Sequence, residues 1–161
     1  MTGSVFSFQR EYEFAPVIVW DALIDHDLVS GWLGEAKIDL VIGGRYDVRW
    51  VARPGGLALE GVIRQLDEAA TLEVDSAERG SFLIELEAFE GGSRGVGTLV
   101  KVTVRTPTEA VFVAQTRADW LTGLEQLEEL LHGHPVDWSR WETDRYETWA
   151  RHVGEERDST A

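Results

Sequence analysis

Ala15-Pro16-Val17-Ile18-Val19-Trp20-Asp21-Ala22-Leu23, followed by Trp32 and then by Gly43-Gly44, is the stretch on which the reading of this 161-residue chain turns. A proline suits the first turn of a helix, because the N–H it lacks would have no partner there. Val17, Trp20, Ala22, Leu23 and Ile24 then make a short apolar stripe. Asp25 is placed to cap a second short helix that turns Leu28, Val29 and Trp32 inward, with Gly31 and Gly34 limiting its length. The stretch is therefore a helical insert anchored by tryptophan.

On both sides of the insert the pattern is that of strands. Upstream, Phe6, Phe8, Tyr12 and Phe14 alternate with Ser7, Gln9, Glu11 and Glu13, which predicts a half-buried strand over 5–14. Arg10 interrupts the inward set, which places it near a sheet end or against an acid. Downstream, strands are predicted over 36–42, 45–52 (Tyr46, Val48 and Trp50 on one side), 57–66, 71–75, 81–89 and 98–105. Gly43-Gly44, Pro54-Gly55-Gly56 and Gly91-Gly92-Ser93 separate several of them. Closely spaced strands joined by tight loops argue for an antiparallel sheet.

The long helix begins at Thr106-Pro107-Thr108-Glu109, which reads as a capping box with proline at the first helical position. Val113, Trp120, Leu124, Leu127 and Leu131 recur at helical spacing, and Gly133 followed by Pro135 ends the helix. Beyond it, Asp137 or Ser139 can cap a helix carrying Trp138, Trp141, Tyr146, Trp149 and Val153. So many aromatic rings need cover, either on their own domain, in a homodimer contact or over a cavity mouth.

Composition narrows the functional classes. The chain is long enough for one domain with a substantial core. Fifteen basic against 29 acidic residues leave a net charge of −14, which opposes contact with nucleic-acid phosphates and anionic membranes. No apolar run reaches the roughly 18 residues of a membrane span, and no signal peptide is visible, so a cytoplasmic location is expected. The absence of cysteine removes disulfides, thiolate nucleophiles and cysteine metal sites.

Taken in order, Ala15-Pro16, Trp20, Leu23, Leu28, Trp32, Gly43-Gly44-Arg45-Tyr46, Gly61-Val62-Ile63, Leu72, Gly97-Thr98 and Trp120 with Leu124, Leu127 and Leu131 resemble the START-like (SRPBCC), helix-grip superfamily. Within it, the chain is similar to homologues of the activator of a heat-shock ATPase. The resemblance covers about 5–132. It implies an α+β fold in which a strand, two short helices and six further antiparallel strands grip a long C-terminal helix. It implies a domain over 1–133, with 134–161 a helical, tryptophan-rich extension outside the family pattern. It does not name a chemistry, because such folds host carriers, hormone receptors and cyclases alike.

A sheet that grips a helix would gather Tyr46, Val48, Trp50, Phe82, Ile84 and Val102 from the sheet, and Val113, Arg117, Trp120 and Leu124 from the helix, around a cavity. Plain core packing is the alternative for each apolar member. Arg117 beside the apolar stripe can bind a ligand carboxylate or pair with a sheet acid. The leading expectation is thus a container for a small hydrophobic or amphipathic ligand, without cofactor or metal. The alternatives are an interaction protein or co-chaperone-like regulator using Trp138, Trp141, Tyr146 and Trp149 as its interface, and a cyclase-type enzyme using Arg117, Tyr46 or Glu60. No catalytic residue is assigned. His132 and His134 flank the helix stop and, with His152, give only a weak metal signal because no carboxylate set or rigid strand accompanies them; solvated loop histidines are the expectation. His26 between Asp25 and Asp27 is better explained by capping and solvation. No nucleophile elbow, phosphate loop or dinucleotide fingerprint is present in its required context.

Overall fold

The computed structural model describes residues 4–49, 58–76, 80–106 and 110–159. Strand β1 (Ser4–Tyr12) leads into helices α1 (Pro16–Ile24) and α2 (His26–Val29), and then come β2 (Glu35–Ile38), β3 (Arg45–Arg49), β4 (Ala58–Asp67), β5 (Thr71–Ser76), β6 (Gly80–Glu90) and β7 (Val96–Thr106). Helix α3 (Ala110–Leu131) follows, and the tail carries a 3₁₀ turn (Trp138–Arg140), α4 (Trp141–Asp144) and α5 (Tyr146–Ser159). The strands form one antiparallel sheet in the order β1-β7-β6-β5-β4-β3-β2. This is the helix-grip arrangement: the helical insert and α3 lie on the apolar face of the sheet, in one core cluster with it.

Local chemistry accounts for the insert. Pro16 opens α1, and the Asp25 side chain caps α2 by accepting the Asp27 N–H at 2.9 Å. The buried stripe of α1 is Val19, Trp20, Ala22 and Leu23; Val17, expected in it, is 53% exposed. A stripe read from apolar residues alone does not fix which of two neighbouring valines faces the sheet. Trp32 is completely buried and donates its indole N–H to the Ala22 carbonyl at 2.7 Å, closing the insert on itself. Tyr46 reaches up from β3 to donate its hydroxyl to the Leu23 carbonyl at 2.6 Å. Arg10 stays half-buried on β1 and donates to its neighbour's carbonyl, Gln9 O, at 2.8 Å.

Two expected boundaries move. The strand predicted over 36–42 ends at Ile38, and Leu40, Val41 and Ile42 stand exposed in the turn that follows. Gly43 takes a left-handed φ of +85°, and a Cβ on Gly44 would lie 2.2 Å from the Asp39 carbonyl oxygen, so these glycines tighten the chain into a turn before Ile42 can pair. Thr106, expected as a helix cap, is the last residue of β7 and pairs with Ser4. The other three positions of that capping box lie outside the described residues, as does Trp50. At the far end of α3 the expectation holds: Gly133 has φ +90°, and His134 N–H returns to the Glu129 carbonyl at 2.8 Å.

The predicted single tail helix is three pieces. Asp137 caps the 3₁₀ turn through Ser139 N–H, and α4 breaks at Arg145 before α5. Trp141 and Trp149 are buried against Ala114 and Ala118 of α3 in a second apolar cluster. Among the described residues no helix is long and apolar enough to cross a membrane.

Tyr12 and Tyr46 are both buried, and both hydroxyls donate to main-chain carbonyls, Tyr12 to Leu124 O at 2.9 Å. Burial pushes both phenols well above the ordinary tyrosine range. The unfolded chain releases these protons near pH 10 while the folded chain keeps them, so the stability they confer is complete below that pH and falls as pH rises beyond it. Tyr12→Phe and Tyr46→Phe should each cost about 1–3 kcal/mol at pH 7, by leaving a buried carbonyl without its donor. Each should also flatten the decline in denaturation midpoint above about pH 10. Urea midpoints measured against pH check both effects.

Candidate functional site

The face of the sheet that meets α3 is built by alternation. It takes Phe6, Phe8 and Tyr12 from β1, Val100, Val102 and Val104 from β7, Phe82, Ile84 and Leu86 from β6, and Tyr46 and Val48 from β3. Of the expected cavity residues, Tyr46, Val48, Phe82, Ile84, Val102, Trp120 and Leu124 come together in one cluster, none more than 4% exposed. Their rings rest on one another: Phe82 is 5.0 Å from Trp120 and 5.8 Å from Tyr46, centroid to centroid. These seven are buried together in one apolar cluster.

Val113 and Arg117 differ. Both are only partly buried, in the N-terminal half of α3, and the Arg117 guanidinium carbon lies 5.6 Å from the centroid of the Phe8 ring. Phe6, one alternation step along β1, is also partly exposed. The pairing registers place a row of small residues at this same end of the sheet. Ser76 pairs with Gly80, Ser81 with Arg105 and Ser4 with Thr106, so Ser76, Gly80, Thr106 and Ser4 run across four strands. Ser76 and Thr106 are buried hydroxyls in that row. Gly80 is needed between them, because a Cβ there would sit 1.8 Å from the Arg105 carbonyl oxygen.

Sequence reasoning missed this polar row. Ser76 continues the inward set Leu72, Val74, and extending that alternation one step would have found it; Thr106 was assigned to the helix instead. Glu60, considered as an acid, is exposed on β4 next to buried Leu59 and so points away from α3. Tyr46 is committed to Leu23 and is held protonated by burial. Among the described residues no group of His, Asp and Glu could hold a metal. His132 and His134 are exposed beside the helix stop, and His152 bonds Glu125 at 2.5 Å.

The interface candidates are placed by hydrogen bonds to the domain itself. Trp138 donates its indole N–H to Ser30 O at 2.6 Å, Trp141 to Gln126 Oε1 at 3.0 Å and Trp149 to Asp119 Oδ1 at 2.8 Å. Tyr146 packs beside Trp141 and Trp149 while remaining 48% exposed. Of the three fates open to the tail, packing on its own domain is the one this arrangement displays. Two surface depressions, of about 510 Å³ between α2 and the tail and about 460 Å³ on the outer sheet face, are bordered by none of the described cavity candidates.

The family model described as activator of Hsp90 ATPase homolog 1-like protein matches residues 13–132. The chain belongs to that family. No curated protein matches it. Among solved structures, CalU16 from Micromonospora echinospora in solution superposes with a TM-score of 0.70 at 20% identity, over 96% of this chain and 83% of that one. A conserved protein of unknown function from Enterococcus faecalis, EF2215, gives 0.65 at 13% identity, over 97% and 86%. NE0264 from Nitrosomonas europaea gives 0.62 at 22% identity, over 80% and 94%. These likenesses show the fold.

One ion pair of the tail carries a pH signature. Arg145 hydrogen-bonds Glu129 through both terminal guanidinium nitrogens and holds that carboxyl below the ordinary glutamate range. The pair's contribution is therefore present above the ordinary carboxylate pKa and lost as pH falls through and below it. Both side chains are partly solvated, so the contribution is modest. Glu129→Gln should lower the melting temperature by about 1–3 °C at pH 7, and the difference from the parent should shrink as pH falls below the ordinary glutamate range and vanish once the carboxyl is protonated in the folded protein as well. Thermal melts across pH measure it.

Proposed function

We propose that this domain binds a small amphipathic molecule with an anionic head at the end of the grip framed by Phe6, Phe8, Val113 and Arg117. The observation that carries this reading is Arg117: a half-buried guanidinium over the Phe8 ring, at the partly open margin of an otherwise sealed apolar core. A cation set against an apolar wall and partly out of water offers a planar pair of donors to a carboxylate or sulfonate. The buried Ser76 and Thr106 hydroxyls, at the same end of the sheet, add polar groups where the apolar face stops. Because the deeper residues are packed on one another, the ligand's apolar part occupies this end rather than running the length of the helix. Apolar walls with a few converging polar groups are the usual composition of small-molecule sites.

Anilinonaphthalenesulfonate, an anionic amphipathic fluorophore, tests the reading directly. The folded protein should bind it with a blue-shifted emission, and Arg117→Gln should weaken binding about tenfold or more, the worth of one charge-assisted hydrogen bond. Equal affinity of parent and variant contradicts the proposal.

The interaction alternative moves to a different surface. Leu40, Val41 and Ile42 project from the β2–β3 turn at 42%, 60% and 68% exposure. The turn is pinned by Gly44 N–H to Val41 O at 2.9 Å and Gly43 N–H to Ile63 O at 2.8 Å, so the apolar tip is held out in a fixed shape. If it joins two copies of the chain, sedimentation should show a concentration-dependent dimer that Val41→Ser with Ile42→Ser abolishes; a monomer at every concentration refutes the homodimer.

A further inference from the structure

The geometry points to the tail, 134–159, as a strap that governs access to the Arg117 end by clamping the N-terminal half of α3; this rests on the binding reading above and gives that site its regulation. Helix α3 is fastened in two different ways along its length. Its C-terminal half is bonded to the tail through Gln126 Oε1, Glu125 and Glu129, and also to the body of the domain: Leu124 O accepts from Tyr12, and Gln126 Nε2 donates to Trp32 O at 2.6 Å. The same half also meets the turn after α2 closely, since a Cβ on Gly31 would come within 2.8 Å of Leu130.

The N-terminal half carries the candidate site on one side and the strap on the other. Arg117 and Trp120 look toward Phe8 and Phe82, while Ala114 and Ala118 lie under Trp149 and Val153. Asp119 sits between the two sets in sequence, is nearly buried, and accepts the Trp149 indole N–H. A single turn of helix thus bears both the residues that would meet a ligand and the residue that α5 holds. Small alanines on the strap side let α5 come close, so any outward movement of this half of α3 must displace Trp149 and Val153. A ligand entering between Phe8 and Arg117 works against that clamp.

Removing residues 134–161 outright would bare Ala114, Ala118, Asp119 and Gln126, so finer variants make the test. Trp149→Phe keeps a ring in place and deletes the N–H; Asp119→Asn removes the charge that receives it. Trp138→Phe, whose indole bonds Ser30 far from Arg117, is the control. In stopped-flow mixing with anilinonaphthalenesulfonate, Trp149→Phe and Asp119→Asn should raise the association rate about tenfold, the factor corresponding to one lost hydrogen bond, and Trp138→Phe should leave it unchanged. Equal rates in all four proteins overturn the strap while leaving the site standing. If the fluorophore binds none of them, the site reading fails, and amide hydrogen exchange judges the clamp alone. Exchange in Trp149→Phe should then quicken over 113–119 and stay at the parent rate over 124–131; no change, or the same change along all of α3, overturns it.

Discussion

A buried primary amide has to be satisfied from both ends, and Gln126 is completely buried near the middle of the molecule. Its nitrogen donates to the main chain of Trp32, at the end of the helical insert, and its oxygen accepts the indole N–H of Trp141, at the start of α4. One side chain on α3 therefore fixes the position of the insert that plugs the sheet and of the tail that crosses the helix. Leaving either end unpaired exposes the desolvation penalty of an amide in a low-dielectric interior. The joint is specific as well as stabilising, because only one placement of Trp32 and Trp141 satisfies both.

Around that joint α3 is covered on two sides. Trp120, Leu121, Leu124 and Leu127 pack on the sheet, and Ala114 and Ala118 pack under the tail. A helix gripped only by a sheet would turn its second face to water; here that face carries small residues plus Asp119 and Gln126, each given an indole donor. Glu125 and Glu129, which look like ordinary solvated charges in the sequence, hold His152 of α5 and Arg145 just before it. The tail's tryptophans Trp138, Trp141 and Trp149 are thus engaged in fastening it, while Leu40, Val41 and Ile42 stand exposed on the β2–β3 turn.

How much of this was legible depended on the kind of signal involved. Strand alternation, Pro16 at a helix start, Asp25 as a cap and Gly133 at a helix stop are local, and each appears in the structure where the sequence placed it. Val17, Thr106 and the 36–42 strand were misplaced, because the choice in each case is made by tertiary contacts: which valine meets the sheet, whether β7 pairs one residue further, whether the Gly43-Gly44 turn closes early. The candidate site was legible only in part. Arg117 stood out beside an apolar stripe, but periodicity alone could not tell a lined cavity from a filled one. The tail's docking was legible in principle. Ala114, Ala118, Thr122 and Gln126 recur every four residues as a ridge too small and too polar to serve the sheet side, which is what a helix buried on a second face requires.

The central claim is that Gln126 couples the tail to the insert, and a double-mutant cycle on Gln126→Leu and Trp141→Phe measures that coupling most directly. Urea unfolding of the parent, the two single variants and the double variant gives the four free energies. Each single change should cost about 1–3 kcal/mol, since each leaves a buried polar group unpaired, and the double variant should cost less than the sum by about 1 kcal/mol or more. Strictly additive costs would mean that the Gln126–Trp141 bond carries no coupling, and would contradict the account.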